Sequence, residues 1–299
     1  MSIEECLAID FEVIDMDNIM MIKDYLEINK FEESNHNLVN MILWMKWYPL
    51  FYVKHDNYLI LLGVHEGEMF IYMPLCKDEY LKEALDCAKK IFEHYHTRFV
   101  LSCFIEEQML KVKKILPNIE VIDVRESYDY VYSVESLKTF KGKKLQKKRN
   151  HLNYFYANYD YQYEHLNKDN VLECIEFLKQ WKDDTDDDFL IAEKEGTFRI
   201  LQLFGKLEYK GGLIRIDGKV KAFAIGSVLS DRMCQEKIEK ADDSYRGLYQ
   251  AMIQQFLQNE FSDFEYVNRE DDMGKENIRH AKIAYNPCFM IKKYKLVEV

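Results

Sequence analysis

Apolar and polar positions along this chain fall into short segments whose period changes, and the same order of periods occurs twice. In the first half, residues 50–53, 58–64 and 69–75 are dense in branched and aromatic side chains and predict three short strands. The joins carry Asp56-Asn57 and Glu66-Gly67, which suit tight hairpin turns. Leu81, Leu85, Ala88 and Phe92 recur at helical spacing and predict a helix over 78–95. A strand (98–103), a helix (106–116) and strand material over 119–134 follow. In the second half, 213–216, 220–229 and 233–241 again predict three strands, joined by Asp217-Gly218 and Ser230-Asp231. A helix over 247–259 comes next, with Leu248, Met252 and Phe256 on one face. A strand (264–268), a helix (275–283) and a closing strand (289–296) complete the set. Each half therefore predicts a β-meander, a helix, a strand, a helix and a strand. The residues of the halves are not similar, so the repeat is one of architecture.

Composition narrows the class. At 299 residues the chain can bury one large core or two domains, and 48% hydrophobic with 31% charged residues is the balance of a folded globular protein. Only 4 prolines argue against a long rigid linker. No apolar run reaches the ~20 residues that span a bilayer. The opening Met1-Ser2-Ile3-Glu4-Glu5 lacks the basic and apolar regions of a signal peptide, so a cytoplasmic location is expected, with a peripheral place at the inner membrane surface left open. Seven cysteines, Cys6 among them, stand singly and without a CxxC pair, which predicts reduced thiols. The histidines show no metal-binding spacing, since His94 and His96 lie two apart. The run from Asp183 and Asp184 to Asp188 lacks the Gly and final Glu of a calcium loop and reads as a solvated loop. No metal is expected.

Charge changes the picture in one place. Residues 141–149 hold six cations and no acid, inside a chain of formal net charge -11. Like charges this close repel one another, and an anionic ligand such as a phosphate, a nucleic acid or a lipid head group compensates that cost. The competing view is a solvated helix face. At 100° per residue Leu145, Leu152, Tyr156 and Tyr159 form one apolar stripe. Lys148 and Arg149 lie on its shoulders, and Lys143, Lys147 and Asn150 lie on the far side. That pattern fits a helix packed on one side and presenting cations at the edge of a site.

The order of elements resembles the GCN5-related N-acetyltransferase (GNAT) fold, and two copies in tandem are similar to the FemX-type peptidyltransferases. Three strings resemble a bacterial family of unknown function grouped with the C-terminal catalytic domain of phosphatidylglycerol lysyltransferases. They are Lys141-Gly142-Lys143-Lys144 through Lys147-Lys148-Arg149-Asn150-His151-Leu152-Asn153, then Lys237-Ile238-Glu239-Lys240-Ala241-Asp242, and Tyr266-Val267-Asn268-Arg269-Glu270-Asp271-Asp272-Met273-Gly274. The last continues into Arg279-His280-Ala281-Lys282 and Tyr285-Asn286-Pro287. Asn37, Trp44 and Tyr48 also fall where that family places a polar-aromatic segment. The resemblance covers nearly the whole chain. It implies an α+β fold of two tandem GNAT-like domains, each a mixed sheet flanked by helices. These occupy residues 1–135 and 136–299, with the basic block and the active site in the second.

In such folds the last meander strand and the strand after the next helix run parallel and splay apart, and the acyl donor lies in the gap. The intervening helix points its N-terminus at the donor's phosphates. Here that turn is Asp242-Asp243-Ser244-Tyr245-Arg246-Gly247-Leu248. Gly247 permits close backbone approach and Arg246 adds a charge. Only Arg246-Gly247 remains of the fuller R/Q-x-x-G-x-G/A loop that binds acetyl-coenzyme A, which argues against ordinary use of that donor. Lys143, Lys144, Lys147, Lys148, Arg149 and Asn150 are the further candidates for holding a phosphate-bearing donor. Glu239 and the turn Asn268-Arg269-Glu270-Asp271 follow the two strands and would converge on the gap. A carboxylate there can accept a proton from an amine, and Asn268 or Arg269 can donate to an oxyanion. The structural alternatives are a strand-stapling ion pair of Glu239 with Arg269 or Lys237, and a solvated, capped turn at 270–272. Tyr285, Trp44 and Trp47 read as core residues before catalytic or platform ones.

The function implied is transfer of an aminoacyl group, from aminoacyl-tRNA, to an amine or hydroxyl on a small molecule, peptide or lipid. The alternatives are an acyl-coenzyme A-dependent N-acyltransferase and a non-enzymatic protein that binds an anionic ligand.

Overall fold

The computed structural model describes residues 12–182 and 185–299. The opening residues 1–5, Cys6, and Asp183 and Asp184 of the acidic run lie outside the described residues. The chain divides into two compact units. One holds the residues up to Phe31 with Asn35–Tyr128 and Ile291–Val299, and the other holds Glu32–Ser34 with Asp129–Met290.

The first unit contains β1 (Glu12–Val13), α1 (Ile19–Leu26), α2 (Leu38–Trp44), β2 (Leu50–Lys54), β3 (Tyr58–His65), β4 (Glu68–Ile71), β5 (Leu75–Cys76), α3 (Leu81–His94), β6 (Val100–Phe104), α4 (Glu106–Ile115) and β7 (Ile119–Asp123). The second contains β8 (Asp129–Ser133), α5 (Val134–Thr139), α6 (Gln146–Asn158), β9 (Tyr161–His165), α7 (Val171–Gln180), α8 (Asp188–Gln202), β10 (Lys210–Ile216), β11 (Lys219–Val228), β12 (Met233–Ala241), α9 (Leu248–Glu260), β13 (Tyr266–Asn268), α10 (Glu276–Ile283) and β14 (Phe289–Ile291). A closing strand, β15 (Tyr294–Glu298), belongs to the first unit's sheet.

The sheets have the orders β1-β2-β3-β4-β6-β15-β7 and β14-β8-β13-β12-β11-β10-β9. Both are meanders joined to one parallel pair, β4 with β6 and β12 with β13. This is the α+β, helix-flanked arrangement expected. The Asp217-Gly218 hairpin forms as read, with φ of 52° and 73°, the left-handed pair that a two-residue turn requires.

Two closing segments differ from expectation. The strand material at 119–134 is two strands in different sheets, β7 and β8. The segment at 289–296 is likewise split into β14 and β15. The break falls at Lys293, whose side chain is fully buried in the first unit and donates from Nζ to Asn35 Oδ1 at 2.6 Å. β15 then inserts between β6 and β7, antiparallel to both. Helices α1, α2, α5, α7 and α8 and strands β1 and β9 add to the elements read from the sequence. β9 is a half-exposed edge strand of polar residues alternating with tyrosine, so its apolar signal is thin. α8 starts inside the acidic run, where Asp187 caps it by accepting from the N–H groups of Phe189 at 2.9 Å and Leu190 at 3.3 Å.

The second unit's core lies under α9, whose Leu248, Ala251, Met252, Ile253, Phe256 and Leu257 are buried against Ala222, Ala224, Cys234 and Val267 of the sheet. α6 joins this core through Leu152 and Phe155. The opposite face carries α7 and α8: Phe177 meets Phe223 edge-on, and Trp181 donates from Nε1 to the Ala241 carbonyl at 3.0 Å.

Candidate functional site

Strands β12 and β13 run parallel only from Met233↔Tyr266 to Gln235↔Asn268. Beyond that point β12 continues to Ala241, while the chain leaving β13 turns through Glu270 (φ 62°) and Met273 (φ 51°). The strands therefore part at Gln235 and Asn268.

β12 carries a bulge at the same level. Its register with β11 passes from Gly226↔Glu236 to Ile225↔Ile238, leaving Lys237 as an extra residue. Gly226 is required there, because a Cβ would lie 2.4 Å from the Gln235 carbonyl oxygen. The bulge has a chemical consequence. Residues three apart on a regular strand face opposite ways, but the extra residue returns Glu236 and Glu239 to one face. Both reach Arg269. Its Nε and Nη2 donate to Glu236, the second at 3.3 Å, and Nη2 donates to Glu239 Oε2 at 2.6 Å. Oxygen Oε1 of Glu239 is buried with no hydrogen-bond partner.

Every element packed on this face contributes. Tyr285, after α10, lies 5.0 Å from the Arg269 guanidinium and takes a hydrogen bond on its hydroxyl from Gln250 of α9 at 2.8 Å. Tyr132 of β8 lies 5.9 Å from the same guanidinium. Lys148 of α6 places its ammonium 4.0 Å from the centre of the Tyr285 ring. Burial, and then the Glu236 carboxyl, push Glu239 well above the usual carboxylate range, against the pull of Arg269. Arg269 is held even more firmly in its charged form: burial opposes the charge, but Glu236 and Glu239 outweigh it. Burial, and then Arg269, move Lys148 towards its neutral form. Burial also pushes Tyr285 up to about 12.

The rest of the 268–271 turn faces other partners. Asn268 donates both amide hydrogens, to the Glu32 carbonyl and to Asp129, each at 2.9 Å, and its oxygen accepts from Glu270 N–H at 2.8 Å. The Glu270 carboxylate pairs with Lys237 and accepts from Gln235 Nε2. Asp271 is half-exposed and accepts from Met273 N–H at 3.1 Å. Lys282, half-buried, donates to the carbonyls of Arg269 and Glu270 and so pins the turn from behind. Asp272, fully buried, is gripped by Arg279 through bonds of 2.9 and 3.0 Å and by Tyr130 at 2.6 Å. Arg269 and Glu239 are thus brought together, while Asn268 and Glu270 join a second polar cluster.

The basic block is divided in the same way. Lys143, Lys144, Lys147 and Asn150 are exposed. Arg149 turns inward and donates to the carbonyls of Phe140 at 2.6 Å and Gly142 at 3.1 Å, tying α6 to the end of α5. Gly247, with φ 91°, starts α9 directly against α6: a Cβ would lie 2.1 Å from the His151 carbonyl oxygen and 3.0 Å from Phe155 Cβ. Arg246 is exposed and lies 4.5 Å over the Tyr154 ring. His151 is held below its usual pKa by burial and then by Arg246, Lys148 and Lys147. No side chain caps α9 and no acid lies in its first turn.

Glu236 and His151 had no role in the sequence reading. The signal for Glu236 was present: Gln235-Glu236-Lys237-Ile238-Glu239-Lys240 breaks strand alternation, which marks a bulge. Among the described residues, no group of three or more His, Cys, Asp or Glu side chains is placed to hold a metal ion, and no helix is long and apolar enough to cross a membrane.

Comparison with known proteins places the chain. It is 30% identical over 237 residues to an uncharacterised protein of Mycoplasmoides gallisepticum, covering 77% of this chain and 75% of that protein. A conserved protein of unknown function from Bacteroides thetaiotaomicron is 26% identical, with TM-score 0.86 over 97% of this chain and 100% of that one. L-PGS from Bacillus licheniformis (11% identical, TM-score 0.64, 96% and 93% covered) shares the fold. So does FemX (10%, TM-score 0.59, 95% and 96%), in keeping with the tandem GNAT-like architecture. Residues 27–297 match the family described as phosphatidylglycerol lysyltransferase, C-terminal, and the chain belongs to that family.

Proposed function

We propose that this protein is a transferase that moves an aminoacyl group from aminoacyl-tRNA to an amine or hydroxyl acceptor, with the second unit as the catalytic one. The observation that carries this reading is Glu239: a buried carboxyl with a raised pKa and an unpartnered oxygen, beside Arg269, where two parallel strands part. In this reading Glu239 takes the proton from the attacking amine or hydroxyl. Arg269, fixed by two carboxylates and two aromatic rings, faces the oxyanion that forms on the acyl carbon. Asn268 keeps the turn in shape, since its amide hydrogens are already engaged. Lys143, Lys144, Lys147, Arg246 and the uncapped start of α9 hold the donor's phosphates, and Lys148 sits between the phosphate end and the reacting end.

One observation favours a second donor. The start of α9 has no side-chain cap and no acid in its first turn, an arrangement that suits the compact pyrophosphate of an acyl-coenzyme A as well as a nucleic-acid phosphate. The acceptor is a lipid, a peptide or a small amine. The test starts with mass spectrometry of small molecules that co-purify with the protein. It continues with tRNA charged with labelled amino acids, incubated with anionic lipid vesicles or amine acceptors. Label should leave the tRNA and appear in the acceptor with wild type, and not with Glu239→Gln. A co-purifying acyl-coenzyme A, together with no loss of label from tRNA, refutes the aminoacyl donor.

A further inference from the structure

We propose that Glu236 and Glu239 act as one unit: two carboxyl groups on a common guanidinium that hold a single proton between them at neutral pH. The chemistry drawn from this pair rests on the transferase reading above; the shared proton itself does not.

The trio is not balanced in charge. Arg269 carries one positive charge and receives two carboxylates, so the trio is one negative charge in excess if both acids ionise. All three side chains are withdrawn from water, at 13% exposure for Arg269, 4% for Glu236 and 10% for Glu239. An uncompensated charge in such a place is costly, and the cheapest remedy is a proton. Geometry points to the same conclusion. Oxygen Oε2 of Glu239 accepts from Arg269, while buried Oε1 has no hydrogen-bond partner and is the oxygen left open to a proton. Both carboxyls accept from the same Arg269 nitrogen, Nη2, Glu236 through Oε1 and Glu239 through Oε2, which gathers the two acids at one point.

The other groups facing the pair do not remove the need for it. Lys148 comes from α6, but its ammonium lies over the Tyr285 ring and bonds to neither carboxyl. Tyr132 from β8, Tyr249 from α9 and Tyr285 are phenols kept neutral by burial. Lys282 spends its hydrogens on the carbonyls of Arg269 and Glu270. The excess charge is therefore settled within the trio.

A pair of this kind is acid and base at once. As the acceptor's nitrogen or oxygen bonds to the acyl carbon, its hydrogen passes to Glu239. As the bond from that carbon to the donor's oxygen breaks, the leaving oxygen takes a proton from the pair. One proton enters and one leaves, so the pair ends as it began. Glu236 acts through Glu239 and is a positioning residue for the proton. This role explains why the strand carries the bulge at Lys237: without it Glu236 would face the other side of the sheet and Glu239 would titrate alone.

The test needs no substrate. Protein labelled with 13C at the glutamate side-chain carboxyl is titrated by NMR, in wild type, Glu236→Gln and Glu239→Gln. Wild type should show one neutral carboxylic acid at pH 7 and a coupled titration in two widely separated steps. Either substitution should abolish that neutral acid, because the remaining carboxylate then matches Arg269 one to one. In Glu236→Gln the pKa of Glu239 should fall by more than about one unit. A neutral acid that survives intact in Glu236→Gln overturns the proposal, since burial alone would then hold the proton. Ordinary carboxylate titrations for both residues in wild type overturn it as well. That wild-type curve decides the matter if a substituted chain fails to fold. Should no donor ever be turned over, the titration still stands. If turnover is found but the two acids titrate independently, the pair is refuted and the transferase reading survives.

Discussion

Replacing Gly247 separates a helix cap from a helix contact. The residue has φ 91°, and an added Cβ would lie 2.1 Å from the His151 carbonyl oxygen, 2.9 Å from its carbon and 3.0 Å from Phe155 Cβ. Two costs follow in Gly247→Ala. The left-handed conformation costs an L-residue about 1–2 kcal/mol. Forcing α6 away from α9 costs about 1–3 kcal/mol more, because the obstructing atoms are backbone and cannot rotate aside. The sum is about 2–5 kcal/mol, which for a unit of this size lowers Tm by roughly 4–20 °C. Gly247→Asn distinguishes the two terms, since asparagine tolerates the left-handed region but presents the same Cβ. Thermal denaturation followed by circular dichroism reads the effect. Hydrogen exchange locates it, and amides of α6 and the first turn of α9 should lose protection together. If Asn restores wild-type stability, the glycine serves conformation alone. If Gly247→Ala melts within about 1 °C of wild type, α6 does not lie against the start of α9, and the convergence of Lys147, His151 and Arg246 falls with it.

Four further variants have expected outcomes. Glu239→Gln should lower transfer by roughly 10²- to 10⁴-fold. Because the folded pKa of Glu239 is raised, its contribution to stability is full below about pH 4.3 and is lost as pH climbs towards the folded value. The Gln variant should therefore gain in Tm over wild type from about pH 5 upwards, and a flat difference across pH 5–8 refutes the shift. Lys147→Ala with Arg246→Ala should weaken binding of a phosphate-bearing ligand on the order of tenfold in a filter-binding assay at fixed salt, with Tm unchanged. Arg149→Ala should do the reverse, costing about 1–3 kcal/mol of stability through its lost carbonyl bonds while leaving ligand affinity intact. Asp272 has its pKa lowered even though burial opposes ionisation, because Arg279, Tyr130 and the Gly274 N–H outweigh that burial. Its contribution is present above about pH 3.9 and lost as pH falls through the folded value, so Asp272→Asn should flatten the acid limb of the Tm profile.

What the sequence made legible follows from where local signals coincide with tertiary ones. Asp217-Gly218 fixes a hairpin whatever surrounds it, and Leu248, Met252 and Phe256 mark the buried face of α9 by spacing alone. The exchange of closing strands has no such mark. β7 and β8 read as one apolar stretch, and so do β14 and β15. Each pair separates only because a partner strand elsewhere supplies better pairing, a preference that exists in the sheet and not in the segment. On α6 the stripe of Leu145, Leu152, Tyr156 and Tyr159 was right about the buried leucines. It missed Phe155, which is fully buried, while Tyr156 is exposed at 37%. The polar hydroxyl of Tyr156 reaches Gln254 and Gln255 at the surface instead. Glu239 with Arg269 was legible because both follow apolar strands in corresponding places. Glu236 is legible only if the broken alternation of 235–240 is read as a bulge, since regular alternation puts it on the other face.

The two units share an architecture and differ in the charge that surrounds corresponding helix starts. In each unit a helix follows the meander and begins at the parallel pair. In the first unit the approach to α3 carries Asp78 and Glu79 and its first turn carries Glu83; Asp78 is tied to Lys111 at 3.0 Å. An anion brought there meets carboxylates before it meets backbone N–H groups. In the second unit the first turn of α9 holds no acid. Asp242, just before it, is neutralised by Lys221 at 3.0 Å, and its other oxygen is taken up by Ser244. Around that helix start stand Arg246, Lys147, Lys148 and His151, the last moved away from its charged form in part by these neighbours. The corresponding helix start is thus acidic in one unit and neighboured by cations in the other. The net charge of -11 then has a physical use. Under the donor reading proposed above, a surplus of carboxylates over the chain as a whole would repel a polyanion, and the cations at the α6–α9 junction are where a phosphate would be met.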